Sequence, residues 1–144
     1  MSSPNAAIAQ RWFEEVWNQR RTETVHELST PASLGETESG PVDNAQAFLD
    51  LVYTPFVTAF PDLRLAVEDV VSERDQAVVR WRATGTHTGD SLGIPATGKR
   101  VTFRGVTWLG LRDGKLTQCW DSWNQHGLFQ TLQGGPPAAS VTLL

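Results

Sequence analysis

The sequence predicts an α+β domain: N-terminal helices packed on a strongly curved antiparallel sheet that encloses a pocket. Two observations carry this. Apolar residues recur at helical spacing up to about residue 60 and at alternating spacing from residue 63 onward. The later segments are long and follow one another through tight turns, as in a twisted meander covered by helices on one side. With 144 residues, no internal repeat and no shift in composition, the chain reads as a single domain over residues 1–144.

Each element has a local reason. Ser3 and Pro4 form a helix start, with serine as N-cap and proline at the first helical position. Ile8, Trp12, Phe13, Val16 and Trp17 then line one face of a helix over residues 4–18. A shorter helix follows over 22–28. Residues 29–41 carry Pro31, Gly35, Gly40 and Pro41 among small polar residues and read as loop. Asp43 is the expected cap of a third helix with the apolar stripe Phe48, Leu51, Val52 and Phe56. Pro55 has to kink or restart that helix, and Phe60-Pro61-Asp62 ends it.

The period then becomes two. Leu63, Leu65, Val67, Asp69 and Val71 share one face of a first strand. A second strand over 77–87 puts Ala77, Val79, Trp81 and Ala83 inward and Arg80, Arg82, Thr84 and Thr86 outward. Residues 88–99 are a Gly- and Pro-containing loop. A third strand over 100–111 and a fourth over 116–123 are joined by the hairpin signal Asp113-Gly114. A short helical segment is expected over 125–132, and a loosely ordered tail over 134–144.

Composition excludes several function classes. Twelve Lys and Arg stand against sixteen Asp and Glu, with no basic block, so a nucleic acid partner is not expected. No apolar run approaches the roughly 18 residues of a membrane span. The first five residues lack the features of a signal peptide, which favours a cytoplasmic location. The single Cys119 has no internal disulfide partner. His26, His87 and His126 lack metal-ligand spacing, so no metal is expected. The glycines of residues 89–98 do not have phosphate-binding spacing, and no nucleophile elbow is present. Six tryptophans beside one tyrosine form an unusual aromatic load.

Strand phase selects the candidate chemistry. Asp121 is in phase with Cys119 and Trp123, types that favour burial. Desolvation there raises a carboxyl pKa toward neutrality, which suits a general acid or base. A structural acceptor bonded to an indole or an arginine is the competing reading. Asp69 points inward if its strand is regular and outward if a bulge intervenes. His87 ends a strand before the glycine loop, where a structural histidine is more common than a catalytic one.

Five stretches together resemble the SnoaL-like polyketide cyclases. They are Phe60-Pro61-Asp62, Gly85-Thr86-His87-Thr88-Gly89, the run Gly93-Ile94-Pro95-Ala96-Thr97-Gly98-Lys99-Arg100, Asp113-Gly114-Lys115, and Trp120-Asp121. The resemblance implies the cone-shaped NTF2-like fold, an aromatic polyketide substrate and no cofactor. It also implies an acid/base aspartate on the last strand, at Asp121. Two departures stand out. The cyclases' polar Gln and His on the preceding strand fall at Gly105 and Thr107, and a common aspartate falls at Asn124. These departures point toward relatives that hydroxylate the anthracycline skeleton, with a separate reductase supplying electrons. Intramolecular aldol cyclisation of a polyketide ester, and a non-catalytic binding role, are the alternatives. Asp121 and Asp69 are the expected catalytic residues. Trp81, Phe103, Thr107, Trp123, Asn124 and His87 are expected at the substrate, with glycine at 105 opening space for it. Relatives assemble through the outer sheet face. Val78, Val106 and Trp108 beside Arg80, Arg82 and Arg104 suit a homodimer or homotetramer here.

Overall fold

The computed structural model describes residues 3–136 and 139–144. The Ser3 side chain caps α1 (Pro4–Arg11) by accepting the Ala6 N–H. The helix continues as a π-helical segment, Trp12–Asn18, in which Trp12, Phe13, Val16 and Trp17 are all buried. After α2 (Thr22–Leu28), the segment expected as loop forms β1 (Ser29–Thr37) and the short β2 (Gly40–Pro41). Asn44, not Asp43, caps α3 (Ala45–Phe48), through its Oδ1 and the Ala47 N–H. Where Pro55 threatens the helix, the chain widens into a π-helical turn, Leu49–Tyr53, and resumes as α4 (Thr54–Ala59) with the proline in its first turn. That is a position where a missing N–H costs nothing.

The strands β3 (Arg64–Glu73), β4 (Gln76–Thr86), β5 (Arg100–Arg112) and β6 (Lys115–Trp123) match the expected meander, and α5 (Gln125–Leu132) follows. Asp113 and Gly114 both take positive φ, 52° and 76°, as the two-residue turn between β5 and β6 requires. The sheet order is β2-β1-β6-β5-β4-β3. It is mixed, because β1 runs parallel to β6. The tail is not loose throughout. Val141–Leu143 forms β7, which pairs with Val101–Phe103 of β5 beyond the point where β6 ends. No helix among the described residues is long and apolar enough to cross a membrane.

The core lies between the inner sheet face and the helices. Ala77, Val79, Trp81 and Ala83 of β4 are buried there, with Val101, Phe103, Leu109 and Leu111 of β5. The larger aliphatic side chains among them, Val79, Val101, Leu109 and Leu111, are at most 1 % exposed, and each contributes about 1.5–3 kcal/mol of apolar burial.

The short motifs of the sequence converge at one end of this core. The Asp62 carboxylate accepts the Thr86 N–H at 2.7 Å and its hydroxyl at 2.8 Å. Gly85 makes room for the Phe60 side chain, whose Cβ and Cδ1 a Cβ there would approach to 3.0 and 3.2 Å. The N–H groups of Thr88 and Gly89 both donate to the Ala59 carbonyl at the end of α4. A Cβ on Gly89 would lie 2.2 Å from the Thr58 carbonyl oxygen. These residues tie α4 to β4 and form no part of the cavity wall described below. Ending the chain at Ser140 removes β7 and uncovers the Val101–Phe103 edge. Urea unfolding is then expected to show a stability lower by roughly 1–3 kcal/mol with an unbroken single transition.

Candidate active site

Between the sheet and the helices lies an apolar cavity of about 230 Å³. Its floor is the inner face of the three central strands, with Trp81, Phe103, Thr107, Asp121 and Trp123. The two π-helical segments form its roof, through Trp12, Phe13, Trp17, Leu51 and Val52. The turn between β1 and β2, with Thr37, Ser39 and Gly40, borders it together with Gln125. Cys119 and Asp121 are the ionisable side chains in this wall, among the described residues.

Register explains how these side chains meet. Thr107 pairs with Asp121, and Gly105 with both Trp81 and Trp123. The Trp81 indole N–H donates to Thr107 Oγ1 at 2.9 Å, and the Thr107 hydroxyl donates to Asp121 Oδ1 at 2.6 Å. Gly105 does not open space for substrate, contrary to expectation. A Cβ there would sit 2.5 Å from Trp81 Cζ2 and 2.6 Å from Trp123 Cβ, because the indole already lies across the strand. Phe103 and Trp123 stack at 5.0 Å with planes 24° apart, and Phe56 meets Trp123 edge-on.

The apolar surroundings set the charge behaviour of Asp121. Burial pushes its pKa up to about 6, the Thr107 hydrogen bond opposes this, and the negative Glu38 adds to the rise. Glu38 reaches the same strand end, accepting the Trp123 N–H at 3.2 Å. Burial, assisted by Asp121, pushes the Cys119 thiol well above its usual value, so it stays protonated. The arrangement supplies a carboxyl group that exchanges its proton near neutral pH inside an aromatic pocket.

Five of the expected site residues therefore border the cavity: Asp121, Trp81, Phe103, Thr107 and Trp123. Three do not. Asp69 is exposed, because the β3–β4 register shifts between Val67 and Asp69 and reverses the phase beyond it. Its carboxylate accepts the adjacent Val70 N–H. His87 is fully buried outside the cavity, against the Phe60 ring. Its Nδ1 accepts the Thr97 N–H at 3.2 Å and lies 2.9 Å from the Thr97 hydroxyl, so it fastens the loop over residues 88–99. Asn124 is the N-cap of α5, accepting the Gly127 N–H at 2.9 Å and donating to the Ala139 carbonyl. An aspartate would serve equally as that cap, so this departure from the cyclases leaves the cavity unchanged. Glu38 and Ser39 carried no sequence signal, since the β1–β2 region lacks apolar alternation, and Gln125 carried none as the first residue of α5.

Comparison with known proteins places this architecture. The profile of the SnoaL-like polyketide cyclases matches residues 7–132. The chain belongs to this family. Its fold resembles a protein from Jannaschia sp. CCS1 described as a candidate SnoaL-like polyketide cyclase. That match has 26% identity and a TM-score of 0.84, covering 92% of this chain and 94% of the other. AclR from Streptomyces galilaeus, described as a candidate hydroxylase, is 28% identical with a TM-score of 0.79, covering 92% and 82%. A candidate polyketide cyclase from Acidithiobacillus ferrooxidans is 25% identical with a TM-score of 0.77, covering 94% and 99%. No curated protein matches the chain.

A carboxyl whose folded-state pKa is raised costs stability when it ionises. The folded state keeps the proton between about pH 4 and pH 6 while the unfolded chain loses it, so stability falls as pH rises through that window. Asp121→Asn keeps an acceptor for Thr107 and removes the charge. It is expected to be more stable than the parent at pH 8 by about 2 kcal/mol and to lose that advantage at pH 4, as read from denaturant midpoints.

Proposed function

We propose that this SnoaL-like protein hydroxylates the ring skeleton of an aromatic, anthracycline-type polyketide, without a bound cofactor and with Asp121 as the acid/base. The observation that carries the reading is the combination of one half-buried, proton-exchanging carboxyl with aromatic walls and adjacent Thr107 and Trp81 hydrogens that are already engaged. Thr107 donates to Asp121 and Trp81 donates to Thr107, so neither hydrogen is available to an alkoxide formed during aldol closure. A polyphenol carbanion needs less help, because its own rings delocalise the charge. Phe103 and Trp123 offer faces to such rings. The cavity is below the roughly 300–1,000 Å³ of typical ligand sites. The reacting ring enters and the remainder of the skeleton extends past the β1–β2 turn.

The chemistry balances with a hydroquinone substrate and dioxygen. Asp121 takes a phenolic proton, which places negative charge on the ring carbon conjugated with it, and that carbon forms a carbon–oxygen bond with dioxygen. Asp121 returns the proton to the resulting peroxide. The oxygen–oxygen bond then breaks as the hydroquinone is oxidised to the quinone, releasing one water and leaving one hydroxyl on carbon. A separate reductase, which regenerates hydroquinones, is the partner this scheme implies.

The outer sheet face supports self-association. Trp108 pairs with Trp120, and Val78 and Val71 continue the same row. Trp108 is 48% exposed and Trp120 55%. Such an apolar row rimmed by Arg80 and Arg82 fits a symmetric interface between copies of the chain. Sedimentation at micromolar concentration is expected to give a dimer or tetramer that Trp108→Ser with Trp120→Ser converts to monomer.

The activity test uses a reduced anthracycline-type intermediate under isotope-labelled dioxygen with a partner reductase. One labelled oxygen in the product is expected, with Asp121→Asn slower by about 10²–10⁴-fold. Ring closure of an uncyclised ester, without label, would establish the cyclase reading instead. Tight binding without turnover of either would make the protein a binding module.

A further inference from the structure

We propose that Trp81 is a positioning residue for Asp121, acting through the Thr107 hydroxyl to hold the carboxyl by Oδ1 and leave Oδ2 as the edge that exchanges protons. This rests on the reading of Asp121 as the acid/base. It also reassigns Trp81, expected from the sequence to stack on substrate.

The argument begins with the single proton of a hydroxyl. Thr107 is 2 % exposed and its Oγ1 stands between two partners, the Trp81 Nε1 at 2.9 Å and Asp121 Oδ1 at 2.6 Å. An indole N–H only donates, so Thr107 must accept from it. The Thr107 proton is thereby directed at Asp121. In the ionised carboxyl Oδ1 accepts this proton, which leaves Oδ2 as the unengaged edge on which an incoming proton settles. No hydrogen bond to Oδ2 exists among the described residues. Without the indole N–H, the hydroxyl could turn away or accept from a protonated carboxyl, and the reactive edge would no longer be fixed.

Gly105 makes this possible. Any side chain there would displace the indole from its path across β5 toward Thr107. The pair Gly105 and Thr107 therefore replaces one polar arrangement beside the aspartate with another. A core-filling role alone would need the ring of Trp81 but not its nitrogen.

Other charged or titratable groups near Asp121 are few. Cys119 shares its strand face, and Glu38 approaches from the β1–β2 turn. The segments Trp12–Asn18, Leu49–Tyr53 and Thr54–Ala59 contribute only apolar side chains to the cavity wall among the described residues. The Glu38 and Cys119 neighbours are unchanged when Trp81 is altered, so an effect on Asp121 isolates the indole.

The test is titration of the substrate-free protein by carboxyl carbon NMR. Trp81→Phe keeps an aromatic ring against Phe103 and Trp123 and removes the donor. The Asp121 midpoint is expected to rise by about one unit, because the charged form loses a directed hydrogen bond. Thr107→Val should raise it at least as far, and the double variant no further than Thr107→Val alone. A folded Trp81→Phe with an unmoved midpoint, beside a Thr107→Val that moves, overturns the proposal. The parent protein supplies a second measurement that needs no variant. The Trp81 indole N–H resonance is expected to titrate with the Asp121 midpoint, and a signal flat from pH 4.5 to 8 overturns the relay. Neither readout involves turnover, so absence of activity on polyketides would count against the proposed reaction and leave the relay standing.

Discussion

The uninterrupted ladder between β4 and β5 is the constraint on which the rest of the molecule depends. It runs without a slip from Gln76 opposite Gly110 to Thr86 opposite Arg100. The irregularities lie on either side of it, at the Val67–Asp69 shift toward β3 and the Gly110–Leu111 shift toward β6. A one-residue slip within the ladder would exchange its buried and exposed faces. Held in register, it puts Trp81 opposite Gly105 and leaves Thr107 facing β6 and Asp121. The bulges at its flanks bend the sheet and make the concavity, while the centre stays rigid enough to fix side chains to within hydrogen-bonding tolerance.

The cavity that results is expensive to keep charged. Its walls are hydrocarbon and aromatic, and the one carboxyl among them is ionised against its surroundings at physiological pH. Burial alone would keep it protonated and unable to act as a base, and full solvation would keep it ionised and only weakly basic. The Thr107 hydrogen bond holds the group between these extremes. That balance trades folding stability for reactivity, a trade often found at functional sites.

Much of this was legible in the sequence. Alternation placed Trp81, Phe103, Asp121 and Trp123 on the inner face, because a period of two is a direct geometric consequence of extended backbone. Asp69 was mis-phased because a bulge inserts one residue and leaves no mark in composition. The segment Ser29–Thr37 passed for loop, because its one large apolar residue, Leu34, faces out and its pairing partners are far away in sequence. His87 and Asn124 are polar residues whose partners, Thr97 and Gly127, are supplied by local backbone, so residue type alone cannot separate them from substrate contacts. Gly105 was read as vacancy when it is room for a neighbouring ring, a distinction that needs the cross-strand partner.

The divided edge of β5 has a consequence for how the chain comes together. β3 with β4, and β5 with β6, are joined by tight turns and can zip locally, but β5 still waits for β7 and β6 for β1. β6 covers one half of its edge, β7 the other, and β6 itself is flanked by β1 from the far end of the chain. Such separations slow closure, since long loops must be ordered before their contacts reward it. The pairings of β1 with β6 and of β7 with β5 thus close later than the hairpin bearing Asp121. Until β7 docks, the intermediate carries a bare, apolar strand edge at Val101–Phe103, the kind of surface that recruits other unfinished chains. The last residues of the sequence act in this sense as a seal against aggregation during folding.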